Sequence, residues 1–448
     1  MAIKEGHMME NKLKKKIDSL FLLYLLLLPL MCLPRPFPLG NKIQYADILF
    51  AAFFLLWLFY ALIFKKARLP TGNLLIALGL LIAVNLFSCV FSKKISVSLP
   101  DFIGLLYLTA LFIAAFSILR EKKMFEKSIR LIFVVSFAVS LLGLASFAAF
   151  MLGKCSWAMR FLLYVPVRAS IIPFPRIDST LVFPEMFIIF SHLGLVSGMS
   201  LLALNKNKKL AAAVILGIVI ILITAAIAYS RPLVGFFFAF SSMLFLKKSA
   251  RYLLPLKIMI ALFTAFLLLS AVITSIWIIY PVEVFKDTSA ELLTVNIHTS
   301  PDIRVFLRDA AVNIALRHPF FGIGQGVFTD EAKHYIDFSA AKNTLRINNF
   351  DTLALDPHSA YFGALAETGL LGLGAIWLFL FFLLRTAWAS INKAPASDWR
   401  TISAYFFWGF IGYIITGVFV DILSIRSFWL LGALLLSASY IAELHEKY

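Results

Sequence analysis

Asp356-Pro357-His358-Ser359-Ala360-Tyr361-Phe362-Gly363-Ala364-Leu365-Ala366-Glu367-Thr368-Gly369-Leu370-Leu371-Gly372 is where a long polar segment runs into an apolar one. A titratable His stands just before the apolar run, with a Tyr three residues on and a Glu about two turns deeper. Upstream lies the one large polar insertion of the chain, from about Pro281. Two arginines, Arg231 and Arg304, are placed to reach the same membrane face. Together these four features predict one site on the outer face of a polytopic membrane protein.

The rest of the composition supports the membrane. Of 448 residues, 61% are hydrophobic and 15% charged, with a mean hydropathy of +0.91. A soluble domain is about half apolar and about a quarter charged. The apolar runs are long, and each is followed by Lys or Arg. Lipid tolerates no unsatisfied backbone groups, so runs of ~20 apolar residues imply helices. A net charge of +17 raises nucleic acid as a partner. The basic residues, however, cluster in short loops between apolar runs, where cytoplasmic loops meet anionic lipid. Cys32, Cys89 and Cys155 are too few and too scattered for a disulfide framework or a metal site.

Twelve spans are predicted, at about 17–33, 45–64, 73–91, 101–119, 131–153, 182–204, 210–229, 232–246, 257–280, 359–384, 401–422 and 425–443. The first lacks a small-residue cleavage site and reads as a retained helix. The opening residues 1–9 read as an appended segment or an upstream start and carry none of the inference. With the N-terminus inside, short loops hold 24 basic residues inside against 10 outside, which places both termini in the cytoplasm. The chain then divides into an N-terminal membrane region (1–280), a large outer loop (281–358) and a C-terminal membrane region (359–448).

That loop contains a predicted helix. Ser300 suits its N-cap, Pro301 its first position and Asp302 its positive end. Ile303, Phe306, Leu307, Ala310, Ala311 and Ile314 follow at helical spacing, and Pro319 stops it. Being amphipathic and short, it is expected on or near the membrane surface. A second outer segment, 154–181, carries Arg160, Arg168, Arg176 and Asp178. No internal repeat is visible, which weighs against most transporter architectures.

Each candidate residue has a bland alternative beside its functional one. Arg231 at a span's outer end suits either an interfacial anchor or an anion ligand. Arg304 and Arg308, four apart on one face, suit phosphate oxygens or a solvated stripe. His358 is able to act as general base at neutral pH, or to cap a helix. Glu367 lies ~13 Å into its span, as a functional carboxylate or as part of a helix-packing seam with Thr368, Gly369 and Gly372. The Gly322-Ile323-Gly324-Gln325-Gly326 run follows a helix, not a strand, so it reads as a structural turn rather than a nucleotide loop.

Arg304 through His318-Pro319, Gly322-Ile323-Gly324-Gln325-Gly326, His358-Ser359-Ala360-Tyr361 and Ala366-Glu367-Thr368-Gly369-Leu370-Leu371-Gly372 resemble the O-antigen ligase and O-antigen polymerase family. Ser230-Arg231 resembles the family's first essential Arg, and Arg176 through Pro184-Glu185 its earlier outer loop. The family often has His-Asn where this chain has His358-Ser359. The resemblance implies an all-α, GT-C-like membrane glycosyltransferase without metal or cofactor, active at the periplasmic side of the bacterial inner membrane. Its donor would be an undecaprenyl-diphosphate-linked glycan. Its acceptor would be a lipid A-core (ligase) or another lipid-linked glycan (polymerase), and protein O-oligosaccharyltransferases share the motifs. On this basis Arg231 and Arg304 are expected to hold the diphosphate and His358 to deprotonate the acceptor. Arg308, Tyr361, Glu367 and Arg176 are expected to bind substrate. A lipid-glycan transporter is the non-enzymatic alternative.

Overall fold

The computed structural model describes residues 2–31, 44–65, 68–70, 72–152, 159–163, 175–246, 303–336 and 356–444. The predicted ninth span, the Ser300 cap and the loop on either side of the 303–336 segment lie outside them.

In the N-terminal half, the helices are α1 (Ala2–Leu27), α2 (Tyr45–Phe64), α3 (Asn73–Val90), α4 (Ile95–Leu119) and α5 (Lys122–Met151). A two-stranded antiparallel ribbon follows, β1 (Leu162–Leu163) with β2 (Arg176–Ile177), pairing Leu163 with Arg176. Next come α6 (Pro184–Leu204), α7 (Lys208–Ala228), α8 (Leu233–Phe245), α9 (Ile303–Arg317) and the one-turn α10 (Phe328–Glu331). The last three are α11 (Ala360–Lys393), α12 (Asp398–Thr416) and α13 (Arg426–Leu444).

Eleven of the twelve predicted spans thus coincide with helices, while among the described residues eight helices are long and apolar enough to cross a bilayer. The chain is an all-α polytopic membrane protein. Three fall short: α1 because its first half is charged, α8 because it has only 13 residues, and α12 because Asp398, Arg400 and several polar aromatics lower its hydropathy. α6 and α13 are almost wholly buried at the centre, and α2 turns most of its surface outward. Small residues make this possible. Gly194 of α6 lies against Ser136, and Gly235 of α8 against the Gly412 carbonyl of α12, where any Cβ would collide. Such small-residue contacts let helices approach closely in lipid, which supplies no hydrophobic drive of its own.

Two stretches differ from expectation. Several helices outrun their apolar runs: α5 begins at Lys122, α4 at Ile95 ahead of Pro100, and α11 ends at Lys393. Beyond the apolar core the backbone is still best satisfied by its own helical bonds. More consequentially, α11 is broken at Gly369, whose φ of 68° is left-handed. The part after the break is alone about 36 Å long and sufficient to span a bilayer. The part before it, residues 360–368, packs instead with α9.

The apolar stripe expected for α9 is present, but protein covers it. Leu307, Ala310, Ala311 and Ile314 are buried in a small core with Ile323, Val327, Phe328 and Ala366. The stripe therefore faces the segment after Pro319 and the first half of α11 rather than lipid.

Candidate functional site

Residues 319–324 cross the break in α11 and satisfy its backbone. The Ile323 and Gly324 N–H groups donate to the Ala366 and Glu367 carbonyls at 3.1 and 3.0 Å. In return the Leu370 and Leu371 N–H groups donate to Pro319 and Phe320 at 2.8 and 3.4 Å. Non-helical backbone at such a place survives only when protein supplies the missing partners. At Gly369 a Cβ would run into the Phe320 carbonyl, so the crossing requires glycine. At Gly326 one would strike the Asp101 carboxylate. The glycine run is a structural turn, as its context in the sequence indicated.

Glu367 clamps the same crossing. Its Oε1 accepts the Phe328 N–H at 3.2 Å, while its backbone carbonyl also accepts from the Ser88 hydroxyl at 2.8 Å. Two ion pairs, Lys93–Glu331 at 3.1 Å and Lys94–Asp330 at 3.0 Å, tie the turn between α3 and α4 to this cap.

His358 stands immediately before α11 with a φ of 47°, a conformation that costs a non-glycine residue energy and recurs at functional sites. Its surroundings impose it. The His358 N–H donates to Asp356 Oδ1 at 3.0 Å. Ser359 is the N-cap of α11, accepting from the Phe362 N–H, and its hydroxyl donates to the Gly417 carbonyl. The Ala360 N–H donates to Gly417 at 2.9 Å, and the Tyr361 hydroxyl to Ile414 at 2.6 Å. Ser is as good an N-cap as Asn, so the departure from His-Asn leaves the local geometry intact. The Tyr361 ring also stacks on Trp377 at 5.0 Å.

Arg231 lies in the short connection between α7 and α8. It is exposed, and it follows Tyr229, whose φ of 38° ends α7, and Ser230, whose hydroxyl donates to Glu185 Oε1 at 3.0 Å. One turn on, Gly235 meets Gly412. The segments carrying Arg231 and His358 are thus both fastened to residues 412–417 at the end of α12. Arg308 lies on α9 with its guanidinium 5.5 Å from the Phe362 ring, within the same cap. Arg304 falls on the first turn of α9, and its side chain is outside the described residues. Arg176 lies on the ribbon, which packs against α5 and α7, the latter leading into Arg231.

Three carboxylates here were not assigned roles from the sequence. Glu185 braces Ser230 beside Arg231. Asp178, next but one to Arg176, is buried with Oδ1 unpartnered, and burial pushes its carboxyl up to about 7. Asp421, in the connection between α12 and α13, is also raised, by burial and then by Asp356 nearby. Glu185 had a signal in its adjacency to Pro184 at a helix start, but the other two depend on tertiary burial. Among the described residues, no group of three His, Cys, Asp or Glu is placed to hold a metal ion.

The fold is that of a multi-pass α-helical membrane protein in which the His358 and Arg231 segments are both anchored on the end of α12. Residues 213–377 match the O-antigen ligase family model. The matched stretch contains Arg231, Arg304, Arg308, His358, Tyr361 and Glu367. No curated protein matches the chain.

Proposed function

We propose that the protein is a metal-independent glycosyltransferase that moves a glycan from undecaprenyl diphosphate onto a lipid A-core sugar at the outer face of the inner membrane. His358 takes the proton from the acceptor hydroxyl. The oxygen bonds to the anomeric carbon as the bond from that carbon to the diphosphate oxygen breaks. The departing diphosphate keeps the electron pair, and Arg231 and Arg304 neutralise its growing charge. Fixed cationic donors in a site poor in water are worth far more than the same charges in solution. Arg308 lies in the same cap and serves as a further phosphate ligand, and Arg176 contacts the glycan side. Tyr361 and Glu367 act on substrate indirectly, since their polar atoms are committed to Ile414 and Phe328. On this reading 281–358 is a periplasmic loop between two membrane regions, 1–280 and 359–448.

The supporting observation is the common anchorage of the His358 and Arg231 segments on the end of α12. Acceptor swapping with purified protein in detergent is the test. Transfer of one glycan onto lipid A-core supports a ligase. A ladder of lengthening undecaprenyl-linked chains identifies a polymerase instead, and no product with either acceptor contradicts both.

A further inference from the structure

The opposite end of the bundle, which carries the short basic loops, holds a feature the transfer reaction does not use. Between α1, α2 and α5 lies a cleft of about 610 Å3. Lys15 and Lys16 of α1 line it from one side, and Lys123 and Lys127 of α5 from the other. Lys123 and Lys127 are four residues apart and therefore share a helix face. Asp18 and Glu121 also line the cleft, but Glu121 is paired with Lys14, so the ammonium groups predominate. Apart from Ser19, its remaining wall is apolar, with Leu20, Leu22, Leu56 and Met124. Further along the same helices, Leu23, Leu26 and Leu55 are 42%, 43% and 64% exposed, which continues the apolar surface outward to lipid.

We propose that this cleft holds the phosphodiester headgroup of an anionic membrane lipid, with its first acyl carbons on the leucine wall. The lysines fit a phosphate as compact charges from two directions. Basic pockets between helices at a membrane face suit such headgroups. The leucine wall separates a lipid from a free phosphate, because a soluble anion would use the lysines and leave the apolar half in water. Such a lipid would bridge α1 and α5, raising the stability of the folded protein by mass action.

The test measures unfolding temperature in detergent micelles doped with phosphatidylglycerol, phosphatidylcholine or, without chains, glycerol 3-phosphate. Phosphatidylglycerol should raise Tm with saturation, and the other two should not. In Lys123→Gln/Lys127→Gln the apparent affinity should fall about thirtyfold, from ~1 kcal/mol for each lysine near a lipid surface. A charge-matched control, Lys206→Gln/Lys208→Gln in another basic loop of the same end, should retain it. Should either variant prove poorly folded without lipid, Lys15→Gln/Lys16→Gln supplies the same comparison from α1. Equal stabilisation by phosphatidylcholine, equal stabilisation by glycerol 3-phosphate, or equal loss in the control would overturn the proposal.

Discussion

The Tyr361 hydroxyl donates to the Ile414 carbonyl at 2.6 Å, joining the turn after His358 to the helix that holds Gly235 and, through it, Arg231. Under the proposed function the bond would position the imidazole without touching substrate. Tyr361→Phe should cost about 1 kcal/mol of stability, the usual net worth of one hydrogen bond. Turnover should fall while the KM for the lipid-linked donor stays nearly constant, as measured by initial rates in detergent. A KM rise with unchanged turnover would assign Tyr361 to donor binding instead.

Glu367 separates a clamp from a catalytic acid. Glu367→Gln keeps an oxygen to accept the Phe328 N–H and should preserve both fold and transfer. Glu367→Ala leaves that buried N–H bare, at a cost of about 1–3 kcal/mol, and should lower Tm and the yield of folded protein. Loss of transfer in a well-folded Gln variant would show that the carboxyl itself takes part.

At Gly369 the break in α11 depends on a left-handed backbone and on contact with the Phe320 carbonyl. Gly369→Ala should therefore be far more damaging than Gly374→Ala, whose site is open. Thermal unfolding of the two variants gives the comparison, and equal Tm values would contradict the broken-helix arrangement.

Asp178 makes stability depend on pH. Burial lifts its carboxyl to about 7, above the ~3.9 of an exposed Asp. Because the folded value is the higher one, its contribution is full below the unfolded value and is lost as pH rises through the folded one. Asp178→Asn, which cannot ionise, should therefore gain in Tm relative to the wild type as pH rises from about 4 to about 7, and keep that gain above it. A Tm difference that is flat over that window would mean that Asp178 ionises as freely in the folded protein as in the unfolded one.

Local sequence carried most of the helices because apolar length and basic flanks are local properties. Arg317, His318 and Pro319 ended α9 where expected, and its buried stripe was visible as spacing. The break at Gly369 was not legible. Gly369-Leu370-Leu371-Gly372 reads as part of one continuous span, and only the backbone of 319–324, nearly fifty residues upstream, supplies the partners a non-helical Gly369 needs. For the same reason α9 was expected on the membrane, since the residues that cover its stripe come from α11 and from beyond Pro319. Among the candidate residues, His358 and Arg231 stood out in the sequence by their places at span ends, and both do lie at helix boundaries. Glu185 and Asp178 acquire meaning only once Ser230 and the ribbon are set beside them.

Under the proposed function, Arg231, Arg304 and His358 serve one transfer reaction. Wild-type protein and the variants Arg231→Ala, Arg304→Ala and His358→Ala should be purified in detergent. Each is then supplied with undecaprenyl-diphosphate glycan and lipid A-core, and glycan transfer is quantified alongside Tm. The prediction is robust transfer by the wild type and a loss of at least about 100-fold in each variant at unchanged Tm. Full transfer by any one of the three folded variants would contradict it.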